Sequence, residues 1–439
     1  MSEQGNALGE NFRKTCYIWS QTRAEDRLIC PQILSTYNDR LAFGMEATAE
    51  TIDIGNISDC LIIEEFAPLW LTIENIGPFR NQPYEIDFTD SSGEPCNLFL
   101  LLSRNGQGKT TLLEILAGLM DFVFQEDPKF FGHEDLDFGK GRVQWDIRLK
   151  TDWKGDKKTV LLSLLCGNLD RESPAIKEWS ATVLQKHHVD EWRPIGFRRR
   201  ALGGEWQWIG KSNDFMDVFI GSVRSASSLS SSPDGFEMPT LTQPRLLFFP
   251  AHRDIERVSS PDRPIIRPDN WHYSTVYKVN AQGGQWRQSL DNLLVWLKWL
   301  DDGRFEKAVE IINKRVFGDG DKFLEGIRKD PPEAIVNSGG EKHRLDQLSS
   351  GEKNLVQLFL RIGTHMTQNS IILIDELDIH LHPNWQHHII DLFKAFVRDH
   401  PGATIIASTH SREILGAFPM DIPEVGVRKG GDIIKQDVA

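Results

Sequence analysis

The stretch "SRNGQGKTT", residues 103–111, decides the fold that we predict for this chain. It follows the apolar run "NLFLLLS", which predicts a buried strand, and it leads into "TTLLEILAGLM", which predicts a helix. Gly106 and Gly108 allow backbone N–H groups to converge on phosphate oxygens. Lys109 would bridge the β- and γ-phosphates of a nucleotide, and the Thr110 hydroxyl would ligate Mg²⁺. The order strand, glycine loop and helix therefore predicts a phosphate-binding loop.

One residue departs from the usual pattern of such a loop. Ser103 stands where G-x-x-x-x-G-K-[ST] has its first glycine. Serine requires a slightly different backbone at that turn but removes no phosphate donor. A chance glycine turn is the alternative, and the flanking strand and helix disfavour it. The predicted nucleotide-binding residues are Ser103, Arg104, Asn105, Gly106, Gln107, Gly108, Lys109, Thr110 and Thr111.

A second polar site follows the apolar strand in "IILIDELDIHLHPNW", residues 371–385. Two adjacent carboxylates at a strand end suit a metal site better than a core. Asp375 is predicted to hold Mg²⁺ together with Thr110, and Glu376 to polarise an attacking water. The alternative is a solvated acidic turn. The phosphate loop favours the metal site, because it needs an acidic partner of this kind.

Histidines near these carboxylates have different predicted roles. His410, in "ASTHS", ends the next predicted strand and is placed to sense a γ-phosphate, although a lone histidine is more often structural. Four other histidines follow Glu376 closely in the sequence: His380, His382, His387 and His388. The last two are neighbours on a predicted helix and point apart, so we predict a role in local structure rather than a metal cage.

The stretch "LDQLSSGEK", residues 345–353, predicts a helix that begins on Ser349, Ser350 and Gly351. Such a helix N-terminus is an anion site. The chain already has one phosphate loop, and one nucleotide needs only one. We therefore predict that this helix closes on the γ-phosphate of a nucleotide held by a second copy of the chain.

Taken together, these motifs resemble those of the ABC-type ATPases. "SRNGQGKTT" resembles Walker A, "IILIDE" Walker B, "LSSGE" the signature motif and His410 the switch histidine. The resemblance implies ATP and Mg²⁺ as cofactors, with Glu376 and His410 as catalytic residues. It also implies nucleotide contacts from the signature and the D-loop, namely Ser349, Ser350, Gly351, Glu352 and Asp378.

Two positions depart from this family's pattern. Ser350 replaces the first of the two signature glycines. The Q-loop glutamine has no clear counterpart; "FFPAHRD" stands in its place, so His252 or Arg253 is expected to act there.

Within the family the chain is most similar to the soluble branch that contains RecF-like, SMC-like and OLD-like proteins. "DELDIHLHP" resembles the D-loop region of that branch, whereas transporter subunits usually continue differently, which disfavours a transporter energy subunit.

The chain has no long heptad tract for an SMC arm, and the 29 residues after His410 are too few for an OLD nuclease domain. Any effector, a nuclease or toxin, is thus expected on another chain, encoded nearby. The architecture resembles ATPases of bacterial anti-phage systems of the Septu, retron and PARIS types; the alternative is a RecF-like repair ATPase that acts directly on DNA.

The predicted fold class is α/β: a P-loop ABC-ATPase head with an antiparallel β subdomain and a helical signature lobe. The predicted divisions are an appended segment over 1–65, a Walker A lobe over 66–170, an insertion with the helical lobe over 171–345, and the remaining motifs over 346–439. "RVQWDIRLKTD" and "KTVLLSLLCG" predict an antiparallel strand pair, and residues 222–235 predict a Ser-rich surface loop.

Composition limits the partners of the chain. A net charge of −13 argues against a surface that coats nucleic acid or anionic membrane, so any nucleic-acid contact would be local. Neither a signal peptide nor a run of about 20 apolar residues is present, and the five cysteines are scattered, so we predict a cytoplasmic protein. The signature helix and the resemblance to ABC-type ATPases imply a homodimer or higher oligomer around ATP. One basic and aromatic cluster could hold a nucleic-acid strand. We favour the alternative, a hairpin whose tryptophans pack and whose arginines are solvated or paired with acidic neighbours. The cluster comprises Trp192, Arg193, Arg198, Arg199, Arg200, Trp206 and Trp208.

Overall fold

The computed structural model describes residues 61–434, with gaps at 81, 105, 126–130, 132–133, 135, 137–138, 201–203, 212, 227–240, 270, 280–284, 319 and 421. The segment predicted over 1–65 therefore lies almost entirely outside the described residues. The strands in chain order are β1 (Leu61–Glu74), β2 (Tyr84–Asp87), β3 (Leu98–Leu102), β4 (Arg142–Trp153), β5 (Asp156–Gly167), β6 (Glu191–Arg198), β7 (Gln207–Ile209), β8 (Arg245–Phe249), β9 (Val276–Lys278), β10 (Lys322–Lys329), β11 (Pro332–Ser338), β12 (Glu341–Arg344), β13 (Ser370–Ile374), β14 (Thr404–Thr409) and β15 (Lys429–Ile433). The α-helices are α1 (Lys109–Phe124), α2 (Ala181–Lys186), α3 (Asp214–Ser225), α4 (Leu290–Leu300), α5 (Arg304–Ile312), α6 (Ser350–His365), α7 (Pro383–Asp399) and α8 (Arg412–Ala417).

The central sheet has six strands in the order β15-β3-β14-β13-β8-β9, and every neighbouring pair in it is parallel. Its middle strands read "LFLLL", "RLLFF" and "SIILI", and their residues are almost all buried. Such unbroken apolar runs form strands that are covered on both faces, as in doubly covered α/β sheets.

The second sheet has the order β2-β1-β4-β5-β6-β7. Its pairs are antiparallel except β5 with β6, which is parallel. The predicted antiparallel pair is confirmed as β4 and β5, in register from Arg142↔Gly167 to Trp153↔Asp156. A third, small sheet, β10-β11-β12, is antiparallel.

Helix α1 lies in the hydrophobic core that joins the first two sheets. Its apolar residues from Leu112 to Val123 are buried almost without exception, because they contact strands of both sheets. The other face of the central sheet is covered by α4, α6 and α7, whose apolar sides form a second core. On α4 the leucines from Leu290 to Leu297 recur at helical spacing and are buried, while Leu300 is half-buried.

The prediction of a loop beginning at residue 222 is wrong for its first part. Residues 222–225 are the last turn of α3, whose buried side chains include Phe219 and Val223. Packing of Val223 into the core extends the helix into the serine-rich stretch. Residues 227–240 lie outside the described residues.

Among the described residues, no helix combines the length and the apolar character needed to cross a membrane.

Candidate nucleotide-binding site

The site lies at the edge of the central sheet where β3, β14 and β13 end side by side. All three strands are parallel, so their carboxyl ends meet at one edge, the usual ligand-binding edge of such a sheet. The phosphate loop follows β3, the adjacent carboxylates follow β13, and the predicted switch histidine follows β14. Topology therefore brings together three segments that are far apart in the chain.

The phosphate loop has the backbone that its glycines permit. Gly106 and Gly108 have φ values of +78° and +100°, in the left-handed region that favours glycine. Gly108 caps α1, and a Cβ atom there would lie 2.6 Å from Cγ of Pro78. A side chain at this position would therefore both strain the backbone and clash with the turn after β1.

Lys109 is held by the loop itself in this structure. It is 5% exposed, and its Nζ donates to the Ser103 and Arg104 carbonyl oxygens at 3.1 and 3.3 Å and to Ser103 Oγ at 3.3 Å. The side chain of Ser103, in place of the usual glycine, thus adds one acceptor to the two carbonyl oxygens. These hydrogen bonds are long and their acceptors are neutral, so the ammonium group remains available for a stronger anionic partner.

Thr110 and Asp375 meet across the edge of the sheet. The Thr110 hydroxyl donates to one carboxylate oxygen of Asp375 at 2.6 Å, and the Ser408 hydroxyl donates to the other at 2.6 Å. Asp375 is fully buried. A hydroxyl and a carboxylate are hard oxygen donors of the kind Mg²⁺ prefers, and Mg²⁺ sites often use one carboxylate with substrate phosphates. The two predicted metal ligands therefore fit Mg²⁺.

Glu376 follows in an uncommon backbone conformation, with φ of +46°. Its N–H donates to Ser408 Oγ at 2.8 Å, so Ser408 fixes both neighbouring acidic residues. Glu376 is half-buried, and no hydrogen bond to its carboxylate is formed from within the described residues. That carboxylate is therefore free to accept a proton from water.

Arg253 anchors the back of this acidic turn. It is 4% exposed, and its guanidinium donates to the carbonyl oxygens of Asp375 (2.5 Å) and Glu376 (3.0 Å) and to Asn354 Oδ1 (2.6 Å). Burial lowers its pKa to about 10, against the opposing effect of the nearby carboxylates, so it remains a cation at neutral pH. Arg253 lies where a Q-loop residue was predicted, but it contacts the Walker B turn through backbone oxygens.

Asp378 and His410 form a pair beside this turn. Asp378 Oδ2 lies 3.1 Å from His410 Nδ1, and Oδ1 accepts from Thr409 Oγ1 at 2.5 Å and from the His410 N–H at 3.3 Å. Asp378 is buried, whereas the His410 side chain is 48% exposed. The carboxylate thus fixes the orientation of a ring that projects toward solvent.

The signature stretch forms the N-terminus of α6 as predicted. The Ser349 Oγ accepts from the Glu352 N–H at 3.4 Å, and a Glu352 carboxylate oxygen accepts from the Ser349 N–H at 3.0 Å, which is a capping box. Lys322 of β10 donates to the second Glu352 oxygen at 2.8 Å. Burial would raise the pKa of Glu352, but Lys322 and Ser349 outweigh it and lower that pKa overall. A Cβ atom on Gly351 would lie 3.0 Å from the His380 carbonyl oxygen, so the signature helix packs on the D-loop of its own chain.

The structure also places the remaining sequence candidates. Arg104 is exposed, Gln107 and Thr111 are half-buried, Ser350 is exposed, and Asn105 lies outside the described residues. His382 caps α7 with Nδ1 accepting from the Asn384 N–H at 3.4 Å, and His388 lies edge-on to Trp385. Both positions serve local structure.

Packing explains most of the basic and aromatic cluster, as predicted. Trp192 donates from Nε1 to Ser163 Oγ at 2.7 Å, Arg193 pairs with Glu191, and Arg199 lies 4.3 Å above the Trp206 ring. Trp208 keeps 40% of its surface exposed.

Four residues of the site were not identified from the sequence. Ser408 bonds to Asp375 and Glu376, and Thr409 bonds to Asp378. Asn354 bonds to Arg253, and Lys322 bonds to Glu352 of the signature cap. A short polar run at the end of β14, "ASTHS", was the only sequence signal for two of them.

Comparison with known proteins gives a family and several partial relatives. The family model described as "AAA domain, putative AbiEii toxin, Type IV TA system" matches residues 104–416. The chain is 31% identical over 124 residues to the Septu protein PtuA of Bacillus thuringiensis, covering 25% of this chain and 31% of the relative. It is 30% identical over 129 residues to the Retron Ec83 probable ATPase of Escherichia coli, covering 26% and 23%. Each match therefore spans less than a third of the relative's own length.

Solved structures that resemble the chain include SMC head domains. The SMC head bound to the C-winged helix domain of ScpA has a TM-score of 0.38 at 13% identity, covering 80% of this chain and 91% of that one. The SMC head domain from Thermotoga maritima has a TM-score of 0.34 at 15% identity, covering 80% and 92%.

Proposed function

This chain belongs to the AbiEii-type AAA domain family, and from that premise we propose that it hydrolyses ATP at sites shared between two copies and thereby controls a partner effector. The observation that carries the catalytic part is the contact between Thr110 and Asp375, 2.6 Å apart although 265 positions separate them in the chain. A phosphate-loop hydroxyl meets a strand-end carboxylate in this way where Mg²⁺ and nucleotide phosphates are bound together.

Each residue then has a role that follows from its position. Lys109 exchanges the carbonyl oxygens of Ser103 and Arg104 for the β- and γ-phosphates. Thr110 and Asp375 would hold Mg²⁺, which would neutralise phosphate charge when bound. Glu376 orients water and accepts its proton, and His410, oriented by Asp378, contacts the γ-phosphate.

The signature helix supports a site shared between copies. Ser349 and Ser350 are exposed at its N-terminus, which is the positive end of the helix dipole, and of these two residues only Ser349 has its N–H bonded to Glu352. Gly351 behind them packs on the D-loop of its own chain. An exposed helix N-terminus that the Glu352 carboxylate of its own chain occupies only in part fits a nucleotide held by a second copy.

Control of an effector in anti-phage defence is supported by the relatives named as Septu and retron components. The effector would be a nuclease or toxin on another chain. Direct action on DNA, as in RecF-like repair, is the alternative, but the packed Trp and Arg side chains of the basic cluster do not favour it. Purification with the products of neighbouring genes separates the two: a bound nuclease or toxin supports the proposal, whereas salt-dependent DNA binding by the lone chain supports the alternative.

Thr110 gives a direct test of the metal site. Thr110→Val keeps the shape of the side chain and removes the hydroxyl, whereas Thr110→Ser keeps the hydroxyl and serves as the matched control. We expect the valine variant to need about tenfold or more Mg²⁺ for half-maximal ATPase activity and to turn over more slowly, because one metal ligand is lost. The measurement is steady-state ATPase activity against Mg²⁺ concentration. Equal Mg²⁺ dependence in both variants would remove Thr110 from the metal site.

A further inference from the structure

A cavity remote in sequence from the phosphate loop is lined by cations from three elements. Lys278 ends β9, Arg287 lies in the turn before α4, and Arg361 belongs to the C-terminal half of α6. Asp269 is the one carboxylate among the described residues that line this cavity. The lining therefore carries an excess of positive charge.

Two buried polar atoms at this cavity have no hydrogen-bond partner within the described part of the chain. His365 is 2% exposed and stacks on Tyr277 at 4.1 Å, yet its Nδ1 is unpartnered. Arg361 bonds to Tyr277 Oη and to the Gln288 carbonyl oxygen, but its Nε is unpartnered. A buried polar group left without a hydrogen-bond partner destabilises the fold. Both atoms belong to residues that line this cavity, so a group bound there is the nearest candidate to complete them.

The chemistry of these atoms calls for an acceptor. Arg361 Nε can only donate. Burial, together with the nearby Arg245 and Arg361 cations, lowers the pKa of His365 well below its usual value, so its ring is neutral and can carry its proton on Nδ1. An anion that brings several oxygens would satisfy both donors.

Most acidic groups around the cavity already have partners. Asp269 accepts from Gln288 Nε2 at 3.2 Å. In an adjoining cavity, Asp254 lies 3.3 Å from Lys353 Nζ, and Asp291 accepts from the Ala334 N–H at 2.7 Å. Glu256, which also lines that cavity, is exposed to solvent. The ion pair of the cation Lys278 is weaker, because its Nζ lies 3.9 Å from the Glu114 carboxylate.

We propose that this cavity, lined by Lys278, Arg287, Arg361 and His365, is a second anion site that binds the phosphate group of a small phosphorylated ligand. Several cations and a planar guanidinium match a multiply charged tetrahedral anion with several oxygens. A nucleic-acid backbone fits less well, because the chain is acidic overall and the deepest donor, on His365, is almost inaccessible.

The position of this site would allow a bound phosphate to regulate catalysis, an inference that rests on the proposed function. Arg361 and His365 belong to α6, whose other end is the signature motif, while Lys278 and Arg287 belong to β9 and the lobe of α4. A phosphate that bridges them ties the signature helix to that lobe. Occupancy would then set the orientation in which the signature meets a partner's nucleotide.

Binding of inorganic phosphate, followed by isothermal titration calorimetry, tests the site. The Lys109→Ala protein is the background, so that the phosphate loop does not mask the signal. We expect phosphate to bind this protein, and Arg287→Gln to weaken binding about tenfold or more, as loss of a charged hydrogen bond does. Arg171→Gln removes an exposed arginine elsewhere and serves as the matched control. No phosphate binding, or binding equally strong after both substitutions, overturns the proposal.

His365→Phe separates ligand contact from packing. The ring keeps its stacking on Tyr277 and loses both nitrogens, so the fold should persist, with an unchanged far-UV circular dichroism spectrum and a melting temperature no lower. Phosphate should bind more weakly to His365→Phe; binding that persists unchanged contradicts the role of Nδ1. Single-stranded oligonucleotide that competes with phosphate in an Arg287-dependent manner would overturn the small-ligand assignment.

The regulatory step has its own readout. With the phosphate loop intact, phosphate should change ATPase activity less in Arg287→Gln than in Arg171→Gln. If neither protein hydrolyses ATP, the proposed function fails while phosphate binding still decides the anion site. If both respond to phosphate equally, regulation through this site is wrong.

Discussion

Glu376 is the residue on which the proposed chemistry most depends. Its backbone is fixed by Ser408 and Arg253, which bond to its N–H and its carbonyl oxygen at 2.8 and 3.0 Å, while its carboxylate accepts no hydrogen bond from the part of the chain that the structure describes. The rigid support and the free carboxylate are what a general base requires.

Glu376→Gln keeps the shape of that side chain and removes the base. We expect ATP to bind with similar affinity and hydrolysis to slow about 10²- to 10⁴-fold, the usual contribution of a general base. ATP binding by calorimetry and single-turnover hydrolysis measure the two quantities separately, and Glu413→Gln, an exposed change near the switch histidine, is the control. Hydrolysis at the wild-type rate would exclude Glu376 as the base.

At the scale of elements, the signature helix is tied to the small sheet by one ion pair. Lys322 of β10 meets Glu352 at 2.8 Å, and both side chains are largely shielded. Lys342 of β12 makes a similar pair with Glu325 at 2.6 Å, but that pair is more exposed and does not involve α6. The two lysines therefore form a matched comparison.

We expect Lys322→Gln to lower ATPase activity several-fold without weakening ATP binding to the phosphate loop. The reason is that Glu352 caps the signature helix, and loss of its partner loosens the N-terminus that serves the neighbouring copy. Lys342→Gln should leave both quantities unchanged, because exposed pairs contribute about 0–1 kcal/mol. Equal ATPase activities in the two variants would show that the tie has no catalytic importance.

The second sheet contains a buried carboxylate that should make stability depend on pH. Asp146 of β4 accepts hydrogen bonds from Gln144 and Ser163, and burial nevertheless raises its pKa to about 7. The folded chain therefore holds a proton between about pH 4 and 7 that the unfolded chain releases, so this group makes stability fall as the pH rises through that window.

Asp146→Asn should remove this contribution, which amounts to at most roughly 4 kcal/mol between pH 4 and 7. The measurement is urea unfolding at several pH values, with Asp156→Asn, an exposed change at the start of β5, as the control. A slope of stability against pH that is the same in all three proteins would contradict the buried, protonated state.

The elements that the sequence predicted are those whose signal is local. Unbroken apolar runs predicted β3 and β13, and the glycine spacing before Lys109 predicted the phosphate loop. Other features depend on pairing between distant segments, such as the parallel contact of β5 with β6 and the support that Arg253 gives to Glu376. A serine such as Ser408 has no distinctive sequence signature, because its role arises only when β14 lies beside β13.

At the scale of the whole molecule, the central claim is that one copy completes the site of another. The variant used to test it must disable the signature without disturbing its own chain. Gly351→Asp is unsuitable, because even a Cβ atom there lies 3.0 Å from the D-loop carbonyl of His380. Ser350 is exposed in the first turn of α6, where an acidic side chain favours the helix. Ser350→Glu should therefore fold normally and repel the γ-phosphate of a partner's ATP.

Mixing this protein with Lys109→Ala is the most direct measurement. Each variant alone should be inactive, Lys109→Ala because it does not bind nucleotide and Ser350→Glu because its signature repels it. Half of the dimers in an equal mixture are mixed, and each has one site with an intact loop facing an intact signature, so about a quarter of the wild-type ATPase activity should return. No recovery, while native mass spectrometry shows mixed dimers with ATP bound, would contradict shared sites and leave Ser349 and Ser350 as a helix cap that serves only its own chain.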